Sequence, residues 1–498
     1  MKGFRNIFNA GFTKGLRSSD TSKRNSGLFT ECVNARVMEE GLEGYIPSIT
    51  AFPAITGVTA TMSWPFPQLL WDDTNMYVGN RTSLYQLVPT AGVWAGTKLT
   101  TAYTGVINWP WTFAKFPMFP VFASGDMLIY YDYAATAWKY WQKGTGTTAQ
   151  GSKWSSDWYQ PTSVCDFRGQ AIAAGSRVAT TAPSQSRVVR WSDIGAFDFL
   201  GKTSKSRKNE AGQWFLPYDD KEICMRVLPL ESAVIVYGTF GVWAMIPVEA
   251  PAATFGFKRL YEPGIVNPLA VGGDLKRHLF VDRFGELVSI DNSLTVTDLG
   301  YSEFFETLQD SISHATGVGV LRVLYDEIND EWHIGTGVKQ YLFKNEALTE
   351  IKRAITSMVT LQRAQITDTA RSTIVGGTYG FYQDIAETYM RFVTDTIDMG
   401  LGTIKMIETV EVQGDFPSYT ALEVAIDYRY DKSSTFARSS WVRCAPDGVA
   451  TPMVAGNDLR VAVRVTPYTG VKVYGLSIGW KLVDKRHIRG MYADIANA

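Results

Sequence analysis

Seven segments of this chain share one pattern of hydrophobic and polar positions: a short apolar strand, a turn of small or Gly residues, and a second strand rich in aromatics. They are "MYVGNRTSLYQL" from 76, "MLIYYDYAATAWKYW" from 127, "AIAAGSRVATTAPSQSRVVRW" from 171, "AVIVYGTFGVWAMI" from 233, "HLFVDRFGELVSI" from 278, "EWHIGTGVKQYLF" from 331 and "STIVGGTYGFYQD" from 372. Their starts lie 51, 44, 62, 45, 53 and 41 residues apart, near the ~40–50 residues of a four-stranded propeller blade. A hairpin repeat at this pitch buries its faces against its neighbours. The pattern predicts an all-β chain, a β-propeller of about seven irregular blades. Unrelated hairpins packed in sandwiches are the competing arrangement.

From about residue 390 the strands lengthen. "LEVAIDYRY" sets Leu422, Val424, Ile426, Tyr428 and Tyr430 on one face, and "LRVAVRVT" repeats the alternation from Leu459, as in a half-buried antiparallel sheet. In "VKVYGLSIGWKLV" the apolar phase slips by one near Gly475, which predicts a β-bulge. The division expected is a basic N-terminal arm with a first strand (1–50), a propeller (51–388) and a C-terminal sandwich-like platform (389–498). One helix is predicted, in "SEFFETLQDSISH", with Phe304, Leu308 and Ile312 four apart, Ser302 as cap and Glu303 in the first turn. Residues 345–362 read equally as helix or hairpin.

Composition agrees with a sheet protein: 13% aromatic, 44 Gly and 45% hydrophobic in 498 residues. A formal net charge of −1 argues against a dedicated nucleic-acid binder. The charge is unevenly spread, since Lys2, Arg5, Lys14, Arg17, Lys23 and Arg24 face Asp20 alone in residues 1–30. They form either a solvated arm or one that docks on an acidic partner. No secretory leader or membrane helix is expected, because the opening residues are basic and polar and the longest uncharged run, 44–71, holds four prolines.

Candidate chemistry is sparse. Cys32, Cys165, Cys224 and Cys444 match no disulfide framework or metal spacing, and the four histidines are dispersed. "YDEINDEWH" gathers Asp326, Glu327, Asp330 and Glu331 without the ligand order of a calcium loop, and reads as a polar turn. No catalytic residue, cofactor or metal is expected. "KTSKSRK" presents Lys202, Lys205, Arg207 and Lys208 as a solvated loop or one that faces DNA phosphates. "WPWTFAKFPMFP" concentrates Trp109, Trp111, Phe113, Phe116 and Phe119 among three prolines. It is unsuited to a regular inner strand, so it either folds over a core or meets another subunit. The corner "RVVRWSDIGAFDFL", with Arg190, Asp193 and Asp198, reads as a strand with its exit turn.

Three of these segments also resemble a known family. "GLFTECVNARVMEEGLEGYIPSI", the corner from 187 and "LPLESAVIVYGTFGVWAM" are similar, in order, to segments of the tail nozzle or tail-hub stabilisation proteins of short-tailed bacteriophages. "GLSIGWKLVDKRHIRG" takes the place of that family's last sandwich strand, and "GYIPSI" stands where many relatives carry an Arg-Pro-Gly turn. The resemblance implies a virion structural protein, assembled in the host cytoplasm as a homohexameric ring below the portal and adaptor. Tail fibres or spikes would attach to it, and DNA would pass without sequence recognition or integral membrane association. A cellular-type propeller scaffold and a propeller glycoside hydrolase remain as alternatives.

Overall fold

The structure is a computed structural model. It describes residues 2–7, 15–16, 29–45, 49–58, 68–71, 75–80, 83–90, 93–99, 109–116, 119–125, 127–132, 136–141, 160–175, 183–195, 197, 199, 210–217, 222–248, 254–306, 320–336, 339–361, 377–384, 388–397, 404–417 and 420–483. The chain divides into a larger unit, residues 48–338 with 354–383, and a smaller one, residues 1–47, 339–353 and 384–498.

In the larger unit, consecutive antiparallel meanders follow one another along the chain. Blade I comprises Gln68–Trp71, Met76–Gly79, Leu84–Thr90 and Val93–Lys98; blade II runs from Thr112 to Trp141, blade III from Ser163 to Phe215, blade IV from Cys224 to Tyr261 and blade V from Val271 to Gly300. The hairpin of Arg322–Asp326 and Glu331–Gly335 is blade VI. Arg353–Leu361, Gly377–Asp384 and Ile49–Ala51 form blade VII.

Polar side chains on the first strands pass from blade to blade. The Leu69 N–H donates to Ser357 Oγ (2.8 Å), Val164 N–H to Thr112 Oγ1 (2.9 Å) and Val227 N–H to Ser163 Oγ (3.0 Å), while Trp111 N–H donates to Gln68 Oε1. The circuit continues from blade IV to V through Tyr237 and His278, from V to VI through Asn267 Nδ2–H to the Leu321 carbonyl, and from VI to VII through Thr378 Oγ1–H to Asp326. Blade VII thereby returns to blade I, and the unit is a closed seven-bladed β-propeller.

The hairpins read from 76, 171, 233 and 278 are the second and third strands of blades I, III, IV and V, and the one from 127 is the third and fourth strands of blade II. Their apolar character has a direct cause. Second strands such as Gln170–Ala174 and Val234–Gly238 are buried along their whole length, whereas an outer fourth strand, Gly212–Phe215, alternates half-buried with exposed.

Closure uses an early segment. Ile49–Ala51 lies parallel to Gly377–Asp384, and Ile55–Thr56 lies parallel to Val93–Lys98, so the eight residues 49–56 tie the last blade to the first. Phe52 between them packs on Trp94 and Phe381, with ring centroids 5.6 and 5.7 Å away.

The smaller unit holds two sheets. One orders Ala35–Met38, Gly41–Gly44, Lys472–Leu482, Lys405–Asp415 and Val449–Ala450; the other includes Gln340–Lys344, Ala347–Ile351, Phe29–Val33, Met390–Thr394, Asp458–Thr466 and Ala421–Arg429. Register slips where Gln413 and Gly414 face Gly475 and Val473, leaving Tyr474 as the extra residue. This is the bulge that the apolar phase near Gly475 predicts. The platform also draws on residues before 48 and on 339–353, beyond the span read from 389.

Several sequence expectations are corrected. Lys2 and Arg5 sit in a strand, Lys2–Ile7, paired with Lys481 to Leu476, and so are not part of a free arm. Residues 345–361, within the stretch read equally as helix or hairpin, are strand and turn. The helix spans Ser302–Phe305, with Tyr301 (φ 71°) rather than Ser302 at the cap position; its predicted continuation through Leu308 and Ile312 lies outside the described residues. Thr112–Phe116 is a first strand of the ring after all, with Phe116 facing Phe119 across its hairpin.

Candidate functional site at the centre of the ring

A cavity of about 1160 Å³ is lined by Leu69, Leu70 and Trp71 of blade I, by Leu228 and Pro229 of blade IV, and by residues of blades V, VI and VII. Blades I and IV are not neighbours in the ring. A space bounded by both therefore lies on its axis, at the end where the first strands stop.

The floor is apolar and the rim is ionic. Five carboxylates (Glu231, Asp274, Asp291, Glu327 and Asp330) face two cations, Lys276 and Arg277, leaving a formal charge of −3. Most of these groups also have local bonds. Asp274 Oδ1 accepts from the N–H groups of Lys276 and Arg277, both at 2.9 Å. Asp330 Oδ1 accepts from Tyr325 Oη (3.0 Å) and Arg277 (3.4 Å), and the Arg277 guanidinium lies over Trp332. Asp291 caps the turn to Thr295, with bonds from Ser293 and Thr295 that hold its carboxyl below the usual range against a desolvation that raises it. Glu231 accepts from Asn292.

His278 forms the cavity's buried corner. Burial is the main cause that lowers its pKa to about 4, so the ring is neutral near pH 7. With Nε2–H directed at the Pro229 carbonyl (3.2 Å), Nδ1 accepts from Tyr237 Oη at 3.0 Å. That pair is a seam between blades IV and V rather than an exposed acid or base.

The donor set best suited to a metal among the described residues is Asp326, Glu331 and His333, whose ligand atoms lie within 4.8 Å of one another and are buried. Sequence reading singled out the acidic residues of this turn and missed the histidine. The signal lay in the strand period: Glu331 and His333 share a face, and Asp326 pairs directly with Glu331. Asp326 already accepts from Ile328 N–H, from Asn329 Nδ2 and from Thr378 Oγ1 at 2.6 Å. Its role is to hold the hairpin turn and the seam to blade VII.

On the smaller unit, arginines are consumed by their own sheet. Arg438 makes a bidentate pair with Asp427 (2.6 and 2.9 Å), Arg464 pairs with Glu423 (2.6 Å), Arg429 with Asp458 (2.8 Å) and Arg391 with Glu31. Arg464 also lies over Trp441, and Arg460 over Phe436, at 4.5 and 3.9 Å.

Of the residues read as subunit contacts, Trp109 and Trp111 are 6% and 2% exposed. They are core, and the Trp111 indole N–H donates to the Asn80 carbonyl, so neither is offered to a second subunit. Phe113 is half-buried beside Phe122. Lys14, Arg17, Lys23 and Arg24, the loop with Lys202, Lys205, Arg207 and Lys208, and Asp198 lie outside the described residues. At the corner from 187, Arg190 is buried in a third strand and Asp193 Oδ1 accepts from Ile194 and Glu210 N–H groups. No helix among the described residues is long and apolar enough to cross a membrane.

No family model matches the chain, and no curated protein matches it. Among solved structures it is similar to the Cps50 (Swd1) β-propeller domain of Myceliophteria thermophila (10% identity, 62% of this chain and 92% of that one, TM-score 0.37). It is also similar to BamB from Moraxella catarrhalis (11%, 64% and 94%, 0.33). A third likeness is to PorZ of Porphyromonas gingivalis (10%, 68% and 43%, 0.34). The chain is an all-β protein built on a β-propeller.

Proposed function

We propose that this chain is a non-catalytic structural subunit of a short-tailed phage tail, one copy of a homohexameric nozzle ring that retains DNA and conducts it at ejection. The observation that carries the reading is the internal commitment of the platform arginines to carboxylates and aromatic faces. Each phosphate contact by a free cation adds salt-sensitive affinity and would brake moving DNA. A near-neutral chain, −1 overall, suits passage better. The resemblance of the segments from 27, 187 and 228 supplies the tail context.

The propeller's own axis is not the DNA path in this reading. Its cavity of about 1160 Å³ is near the ~300–1,000 Å³ of a small-molecule pocket. The lumen would be formed by several copies around a shared axis. A cellular-type binding scaffold is the second reading, favoured by that axial cavity. Cryo-electron microscopy of virions from the source phage tests the first: a six-fold ring of this chain around axial DNA is expected, and its absence from particles would overturn the reading.

A further inference from the structure

We infer that the axial cavity of the propeller is a docking site for a lysine- or arginine-bearing peptide segment, with apolar side chains, of a partner protein. This goes beyond the tail reading and does not depend on it.

Shape and charge argue for that occupant together. The cavity is somewhat larger than a drug-sized pocket, and at about 1160 Å³ it is on the scale of a short peptide. On its floor Leu70, Trp71, Leu228, Met358 and Val359 are only half-buried, so apolar surface stays open to water in the free chain. Covering it is favourable by about 25 cal/mol per Å². At the rim, five carboxylates against two cations leave −3. One of the cations, Arg277, is already engaged by Asp330 and Trp332. Phosphate groups, acidic sugars and acidic peptides are disfavoured by this balance.

The acceptors are fixed in advance. Asp274 is pinned by two backbone N–H groups, Asp330 by Tyr325, and Glu231 by Asn292. Their remaining lone pairs face a ligand whose cations would form charge-assisted bonds without first ordering the site. In an extended chain a Lys-Leu-Lys-Leu stretch sets cations and apolar groups on opposite sides, which matches a rim over a floor.

The test uses the full chain and two fluorescein-labelled hexapeptides, KLKLLK and its acidic counterpart ELELLE, read by fluorescence anisotropy at low and physiological salt. KLKLLK is expected to bind at least tenfold more tightly than ELELLE and to weaken as salt rises. The double variant Glu231→Lys/Glu327→Lys, at two exposed rim positions, should lose at least tenfold in affinity for KLKLLK with an unchanged circular dichroism spectrum. No binding of KLKLLK at 1 mM peptide, equal binding of both peptides, or full binding by the folded variant overturns the inference. Should the variant fail to fold, a photo-crosslinking KLKLLK on the wild-type chain decides. Adducts at residues 69–71, 228–231 and 273–278 support the site, and adducts confined elsewhere overturn it.

Discussion

Replacing Glu222 with Gln should stabilise the protein at alkaline pH and leave it unchanged in acid. Glu222 is fully buried beside the seam between blades III and IV, its backbone carbonyl accepting from Ser186 Oγ at 2.8 Å. Oε1 accepts from the Phe240 N–H, and Oε2 has no hydrogen-bond partner among the described residues. Burial raises its pKa from 4.5 to about 7, against the pull of the Phe240 and Thr239 N–H groups and of Arg259 and Arg283. A carboxyl whose folded pKa is raised binds its proton more tightly folded than unfolded. Stability is therefore full below pH 4.5, falls as pH rises toward 7, and stays low above it. The difference between those two values corresponds to about 3 kcal/mol. His278 works in the opposite sense: its folded pKa is lowered from 6.5 to about 4, so stability is lost as pH falls through that window. The two slopes offset in the wild type. The difference between wild type and Glu222→Gln isolates the carboxylate, because Gln keeps an acceptor for Phe240. Urea unfolding at pH 4, 6 and 8, followed by tryptophan fluorescence, should show the gap growing toward about 3 kcal/mol at pH 8. A gap that does not change with pH, or a variant less stable at pH 8, refutes the reasoning.

Phe52→Ala should cost about 3–5 kcal/mol and sensitise residues 49–58 to protease, since Phe52 packs where blades I and VII meet; an unchanged melting curve and digestion pattern would count against closure by this segment. Deleting residues 1–7 should lower the melting temperature and promote association, because it bares the edge from Leu476 to Lys481; size-exclusion chromatography and thermal melts check this, and a monomer with a wild-type melt would show that the strand contributes nothing. Trp111→Ser should cost about 3–5 kcal/mol in the isolated chain, because the indole is buried and bonded to Asn80; denaturant unfolding of the monomer checks it, and wild-type stability with loss of assembly alone would mean that Trp111 faces a partner.

How far the sequence could be read follows from which strands are buried on both faces. Second and third strands, such as Val234–Gly238 and Val242–Pro247, are apolar nearly throughout and stand out as hairpins at blade pitch. First strands near the axis are mixed, because a polar residue such as Thr112, Ser163 or Ser357 serves the next blade's N–H. That placement hid Thr112–Phe116 behind its prolines: Pro120 pairs at the hairpin's end opposite Lys115, a position that asks for no inner-ladder donor. Blade VII was legible only in part, through the segment from 372 that holds Gly377–Asp384, since another of its strands comes from residue 49, far from the other two. The axial cavity collects residues from five blades, and no local spacing announces it. The bulge at Tyr474 was legible because a one-residue slip reverses the faces of everything after it.

The platform shows how a sheet can carry many arginines and still be a poor phosphate trap. Arg391 and Arg464 are direct cross-strand neighbours, an arrangement that like charges disfavour. Tyr389 lies against both guanidiniums, 5.2 Å from one and 5.8 Å from the other, while Glu31 engages Arg391 and Glu423 engages Arg464. Each guanidinium thus has a carboxylate and a π face before any ligand arrives. A phosphate would have to displace a carboxylate already in place, and the exchange releases little net energy. Substituting one acid, Glu423, would change that balance by exposing a cation, so the carboxylates, rather than a scarcity of basic residues, are what neutralise this surface.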